Sequence, residues 1–169
     1  WFSATTPSED FEIHHISQAG LLTSWNLNSL EGSMPDSLIS DVGDNIIIAE
    51  DGSNGRQLAR LNWDGSHNWL TSITLQSNGA ASTNVGEKMG LTKLGDVLVF
   101  DAQSSGVDTT LWSYNLTSGI SQELSNTILA PGENAGVVVV DNKVWFDCVT
   151  STTATELCFS DGTTIGSKL

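Results

Sequence analysis

Met89-Gly-Leu-Thr-Lys-Leu-Gly-Asp-Val-Leu-Val-Phe-Asp-Ala102 reads as an apolar strand, a Gly-Asp turn and a second apolar strand. The same pattern stands upstream in Leu38-Ile-Ser-Asp-Val-Gly-Asp-Asn-Ile-Ile-Ile-Ala49. It stands downstream in Gly136-Val-Val-Val-Val-Asp-Asn-Lys-Val-Trp-Phe-Asp-Cys148. With Ile48, Phe100 and Phe146 taken as equivalent, the spacings are 100 − 48 = 52 and 146 − 100 = 46. A period of about 50 residues is that of a stacked sheet repeat, in which no single unit can bury its apolar face alone.

A second landmark follows the first in each copy: Gln57-Leu58, Thr110-Leu111-Trp112 and Glu156-Leu157-Cys158, each running into a turn rich in Asp, Gly, Ser, Thr or Asn. The opening residues Trp1 to Ala4 and Phe11 to Ser17 align without gaps, at a displacement of 98, with Val99 to Ala102 and Thr109 to Asn115. A truncated copy therefore opens the chain. The expected fold is all-β, an antiparallel β-propeller-like repeat array of about four blade-like copies, the first truncated. The copies fall near 1–30, 31–77, 78–130 and 131–169. Pro7, Pro35 and Pro131 lie outside the strand cores, where a missing donor does no harm. Leu22, Trp25 and Leu30 offer a weak helical alternative over 19–30, read here as an outer strand and linker.

Six Lys and Arg against twenty Asp and Glu give a net charge of −14, which repels nucleic acid and anionic lipid. No apolar run approaches the roughly 18 residues that span a bilayer, so direct membrane insertion is not expected. Trp1 carries neither an initiator Met nor a signal sequence, and it aligns with Val99 inside a strand. These features lead to the expectation of a section of a larger protein, with further repeats or other chains at its open edge. The competing expectation is four-copy closure, with Ser167-Lys168-Leu169 pairing to the opening strand.

Glu156-Leu157-Cys158-Phe159-Ser160-Asp161-Gly162-Thr163, with Gly166 beyond it, resembles the ELWxxDGT repeat. Cys158 stands where that motif has Trp. The third copy keeps Leu111-Trp112 and loses the Asp-Gly-Thr; the second places Asp64-Gly65-Ser66 two residues later. The resemblance implies a propeller-like fold and an extracellular or cell-surface setting, without a common activity. The motif residues Glu156, Leu157, Asp161, Gly162 and Thr163 are read as structural: Leu157 facing the core, Gly162 tolerating a positive φ, Asp161 and Thr163 bonding the turn.

Cys148 and Cys158 are ten residues apart in two strands of one hairpin and are expected to sit opposite each other, within reach of a disulfide. Two reduced, buried thiols are the alternative. No Cys-x-x-Cys spacing or neighbouring His points to redox catalysis or zinc. His14 and His15 are adjacent on a strand and point to opposite faces, and His67 lies in a turn-rich segment, so no metal or other cofactor is assigned. The acidic turns Asp41-Val-Gly-Asp44, Glu50-Asp51-Gly52 and Asp161-Gly162 leave calcium as a candidate ligand, though none has the spaced acids of an EF-hand. Asn115-Leu116-Thr117 is an N-glycosylation triplet. Histidines are read as surface or turn residues.

No nucleophile elbow, zinc helix, phosphate loop or dinucleotide fingerprint occurs, and no catalytic residue is nominated. The leading expectation is a noncatalytic extracellular structural or adhesion module making protein or surface-glycan contacts. The alternative is a carbohydrate-binding propeller module using some of Trp1, Trp25, Trp63, Trp69, Trp112 and Trp145. Part of a glycoside hydrolase working through two separated acids is third.

Overall fold

The computed structural model describes residues 1–6, 9–28, 32–41, 43–52, 54–74, 85–105, 108–129, 136–150 and 155–164. They form antiparallel strands and, among the described residues, no helix. The chain divides into two units, Trp1–Ser72 and Ile73–Leu169. Gly166 and the Ser167-Lys168-Leu169 segment lie outside the described residues.

The first unit holds two meanders. β1 (Phe2–Thr6), β2 (Glu9–Ile16) and β3 (Leu22–Trp25) pair in that order, and β3 takes the place of the helical alternative. β4 (Asp36–Asp41), β5 (Asp44–Asp51), β6 (Gly55–Leu61) and β7 (His67–Trp69) follow in the same manner. β1 pairs with β2 and is, among the described residues, an edge strand.

The second unit carries β8 (Leu91–Leu94), β9 (Val97–Ser105), β10 (Asp108–Asn115) and β11 (Ile120–Leu129) as one meander. β12 (Val137–Val140), β13 (Lys143–Thr150) and β14 (Thr155–Ser160) form another. Ile128 and Leu129 of β11 pair with Thr150 and Val149 of β13, which joins the two into one seven-stranded sheet.

Turn chemistry sets the register. Leu94 pairs with Val97 across Gly95-Asp96, and Val140 with Lys143 across Asp141-Asn142. Gly95 has φ +58°, and Asp141 and Asn142 have φ 50° and 56°, the left-handed values that two-residue hairpins demand. In the next hairpin of each meander one pair recurs: Phe2 with His14, Ile47 with Ala59, Phe100 with Trp112 and Phe146 with Cys158. Each pair is separated by twelve residues, as in 112 − 100. The displacement of 98 between the first and third copies is thus reproduced in the pairing of β1 with β2 and of β9 with β10. Ile47, rather than Ile48, is the equivalent of Phe100. The anchor chosen from the sequence is one residue out, which exchanges the two faces of β5.

Within each unit the meanders pack face to face. Ile13 and Leu27, with Trp1 and Trp25, share a core with Ile47, Ala49, Ala59 and Leu61. Leu94, Val99, Leu111 and Leu124 share another with Val144, Phe146, Cys148 and Cys158. Burying each large aliphatic side chain contributes about 1.5–3 kcal/mol, so each shared core outweighs anything one meander could supply alone. Ile46 to Ala49 and Leu98 to Phe100 are buried without alternation, so both faces of β5 and β9 are covered.

Asp101 is buried on β9 and accepts the N–H of Met89 at 2.8 Å and of Lys88 at 3.1 Å, tying the turn before β8 to the sheet. Burial pushes its carboxyl up to about 6, against the lowering effect of those two N–H groups. Because the fold raises this pKa, protonation of Asp101 favours the folded state. Its contribution is fully present below the unfolded value near 3.8 and is lost as pH rises through about 6. The difference is on the order of 3 kcal/mol. In thermal unfolding between pH 4 and 7, Asp101→Asn is expected to remove this component of the pH dependence. Parallel curves for the variant and the parent would locate the effect elsewhere.

Candidate functional site

The Asp-Gly-Ser and Asp-Gly-Thr turns are built alike. Asp64 Oδ1 accepts from Ser66 N at 2.9 Å and Ser66 Oγ at 2.6 Å. Asp161 Oδ1 accepts from Thr163 N at 2.9 Å and Thr163 Oγ1 at 2.7 Å. The hydroxyl of the third residue, then its N–H, holds each carboxyl below its ordinary value. In the third copy Asn115 takes the part of the Asp, its Oδ1 accepting from Thr117 N and Ser118 N at 3.0 and 2.8 Å. The oxygen of the glycosylation-triplet Asn is thus already used to cap a turn.

The turn glycines do more than adopt φ +87° at Gly65 and +84° at Gly162. A Cβ on Gly65 would lie 2.1 Å from the Trp25 indole, and one on Gly162 would lie 3.0 Å from Val97 Cγ1. Each turn therefore rests its backbone directly on the preceding meander. This close approach is invisible in the sequence, where Asp-Gly reads only as a turn.

Leu157 does not face a core. It is 63% exposed, while Cys158 and Ser160 point inward. Strand alternation explains this: Cys158 opposes buried Phe146, so Leu157 must share the other face with its partner Asp147. Cys148 and Cys158 form a disulfide with Cα atoms 5.8 Å apart. They are not directly opposed. Cys148 pairs with Glu156, and the bridge runs diagonally along one face, which a two-residue offset leaves intact. The bond indicates a non-reducing environment.

His14 and His15 occupy opposite faces. His14 is buried rather than at the surface, stacked on Phe2, with Nε2 3.2 Å from the Ala4 carbonyl. His67 belongs to β7 and meets Trp69 edge to face. His15 joins a ring cluster that sequence spacing gave no sign of. Trp1 lies 4.6 Å from Trp25, 4.9 Å from His15 and 5.2 Å from Trp63 between ring centroids. Trp63 is 61% exposed on the turn that hydrogen bonds from Asn62 N to Ser66 O and from Gly65 N to Asn62 O hold in shape.

Among the described residues no three His, Cys, Asp or Glu side chains converge as metal ligands. Asp51 Oδ2 accepts from Asn54 Nδ2 at 2.6 Å, whereas Val42 of the first acidic turn lies outside the described residues. A cleft of about 250 Å³ is lined by Val97, Ser113, Asn115, Gln122, Gly162 and Thr163, among others, and carries no acid–base pair. No described helix is long and apolar enough to cross a membrane.

The chain is similar to TolB from Acinetobacter baumannii, whose crystal structure superposes with a TM-score of 0.59 at 17% identity. The likeness is one of fold. It covers 95% of this chain and 38% of the TolB chain, and it places the antiparallel meanders among β-propeller-like structures. No family model matches the chain, and no curated protein matches it in sequence.

Gly65→Ala combines a left-handed backbone with a collision against Trp25 and is expected to cost on the order of 2 kcal/mol or more. Gly162→Ala, meeting a movable methyl, is expected to cost about 1 kcal/mol. Urea unfolding measures both, and an unchanged midpoint for Gly65→Ala would remove the docking role of the turn.

Proposed function

We propose that the chain is a noncatalytic structural or adhesion repeat module of an extracellular or surface-exposed protein, making protein or surface contacts. The observation that carries this reading is what the recurring residues do. The Leu of the landmark at Leu111, its core partners Val144, Phe146 and Cys158, and the Asp-Gly turns serve the packing of one meander on the next within a unit. None of these recurring positions assembles a polar constellation. The four meanders correspond, on this reading, to blades of a propeller-like array. The resemblance of Glu156 to Thr163 to ELWxxDGT repeats and the Cys148–Cys158 bridge support the extracellular setting.

Carbohydrate recognition is a second reading, favoured by the Trp1, His15, Trp25 and Trp63 cluster with its exposed indole. Such a ring presents a flat apolar face suited to the C–H face of a neutral sugar, and the charge of −14 disfavours anionic glycans.

On intact cells of the native host, protease added outside is expected to digest the module, and alkylation before lysis to leave both cysteines unmodified. Protection from protease together with two alkylated thiols would refute the extracellular reading. Saturable changes in Trp fluorescence with neutral hexose oligosaccharides, lost in Trp63→Ala, would shift the role to glycan recognition. Their absence leaves protein contact.

A further inference from the structure

Leu111, Ser113 and Asn115 alternate along one face of β10, the forward face of its meander, opposite Ser125, Gln122 and Ile120 of β11. At Leu111 this face is buried against Val144, Phe146 and Cys158 on the rear face of β12–β14. Two residues on, its character changes. Ser113 is buried yet polar, and beyond it Asn115 and Ile120 end the hairpin. The Asp161-Gly162-Thr163 turn reaches the same end, with Gly162 against Val97. The cleft of about 250 Å³ lies between them, where the apolar core shared by the two meanders gives way to polar side chains.

The corresponding corner of the first unit is filled by rings. At the displacement of 98, Ser113 answers to His15 and Val99 to Trp1, and the Asp161 turn is built as the Asp64 turn is. There His15 lies 4.9 Å from Trp1 and 5.5 Å from Trp63, and Gly65 rests on Trp25. In the second unit a hydroxyl stands for the imidazole, and Ser160 precedes Asp161 where Trp63 precedes Asp64. The corner is therefore open. Ser113, Asn115, Gln122 and Thr163 line it with hydroxyls and amides, Val97 and Ile120 add apolar surface, and none of the described lining side chains is charged. Asn115 Oδ1 already accepts from Thr117 N and Ser118 N, so what Asn115 offers a ligand is its Nδ2 donor. Asp161 Oδ1 is likewise engaged by Thr163.

We propose that this cleft binds one ring of a neutral sugar. Sugar hydroxyls both donate and accept, which matches a lining of Ser, Thr, Asn and Gln groups, and the C–H face of the ring suits Val97 and Ile120. An anion would meet no cation in this lining and a net charge of −14, and a metal ion would meet no set of carboxylates. The volume falls below the roughly 300–1,000 Å³ of pockets that enclose drug-sized ligands, which suits a single ring rather than a longer chain. The cleft belongs wholly to the second unit and does not rest on the Trp63 ring cluster or on an extracellular role, so these readings fail separately.

The test is an amide-resolved NMR titration of the whole chain with glucose, galactose, mannose and N-acetylglucosamine, and with glucuronate as the charged control. At least one neutral sugar is expected to give saturable shifts at the amides of Ser113, Gln122, Gly162 and Thr163, and glucuronate none at the same concentrations. Ser113→Ala and Gln122→Ala are each expected to weaken binding about tenfold, the loss of one hydrogen bond to the ligand. Trp63→Ala is expected to leave these shifts as they are. The proposal is overturned by the absence of saturable shifts with every neutral sugar, by shifts confined to other residues or lost in Trp63→Ala, by glucuronate binding as the neutral sugars do, or by either cleft variant binding as the parent does. The same spectra report whether each variant is folded, and because Gln122 is exposed, Gln122→Ala keeps the test open if Ser113→Ala disrupts β10.

Discussion

A small antiparallel meander with apolar side chains on both faces is not stable alone in water, because each face must be covered by something of matching shape. Within each unit of this protein, one face of each meander is covered by the unit's other meander. Ile13 and Leu111 reach forward onto Ile47 and Phe146, and those residues can receive them because the twelve-residue pairing places them on the opposite face of their own strands. Most other features follow from that arrangement. Strands β5 and β9 do not alternate, and their residues Ile46 to Ala49 and Leu98 to Phe100 are buried on both faces.

The Asp-Gly turns belong to the same constraint. Their aspartates look like ligands in a sequence of this acidity, but Asp64 and Asp161 direct an oxygen to the residue two positions on. The glycine between is small for two reasons, a left-handed backbone and the proximity of Trp25 or Val97. The disulfide lies on the rear face of β13 and β14, within the core shared with Leu111 and Leu124. It constrains the outgoing hairpin while presenting only apolar surface to the preceding meander, as expected of a bridge that replaces core side chains.

The sequence made the strands, the four copies and the Cys148–Cys158 pairing legible, and the alignment of Trp1–Ala4 with Val99–Ala102 anticipated the register of β1 on β2. The errors have physical causes. Ile46-Ile47-Ile48 is buried on both faces and carries no parity, so choosing Ile48 as anchor slipped the second copy by one residue. Leu157 was expected in a core because its equivalents are there; exposure depends on what covers a face, which no strand pattern records. His14 was read as a surface residue because nothing in the sequence shows that Phe2 folds over it. The Trp1, Trp25 and Trp63 cluster joins positions with no common spacing, and the turn at Gly65 that brings Trp63 near Trp1 is intelligible only in three dimensions.

The central claim, that successive meanders stabilise each other through one shared face, is tested most directly by native-state hydrogen exchange of the parent and Leu111→Ala. Leu111 lies on β10, and its core partners Phe146 and Cys158 lie on β13 and β14. If the shared face carries the stability, Leu111→Ala lowers protection of β13 and β14 by the same free energy as β9 and β10, on the order of 2–5 kcal/mol. Loss of protection confined to β9 and β10, with β13 and β14 exchanging as in the parent, would contradict the account.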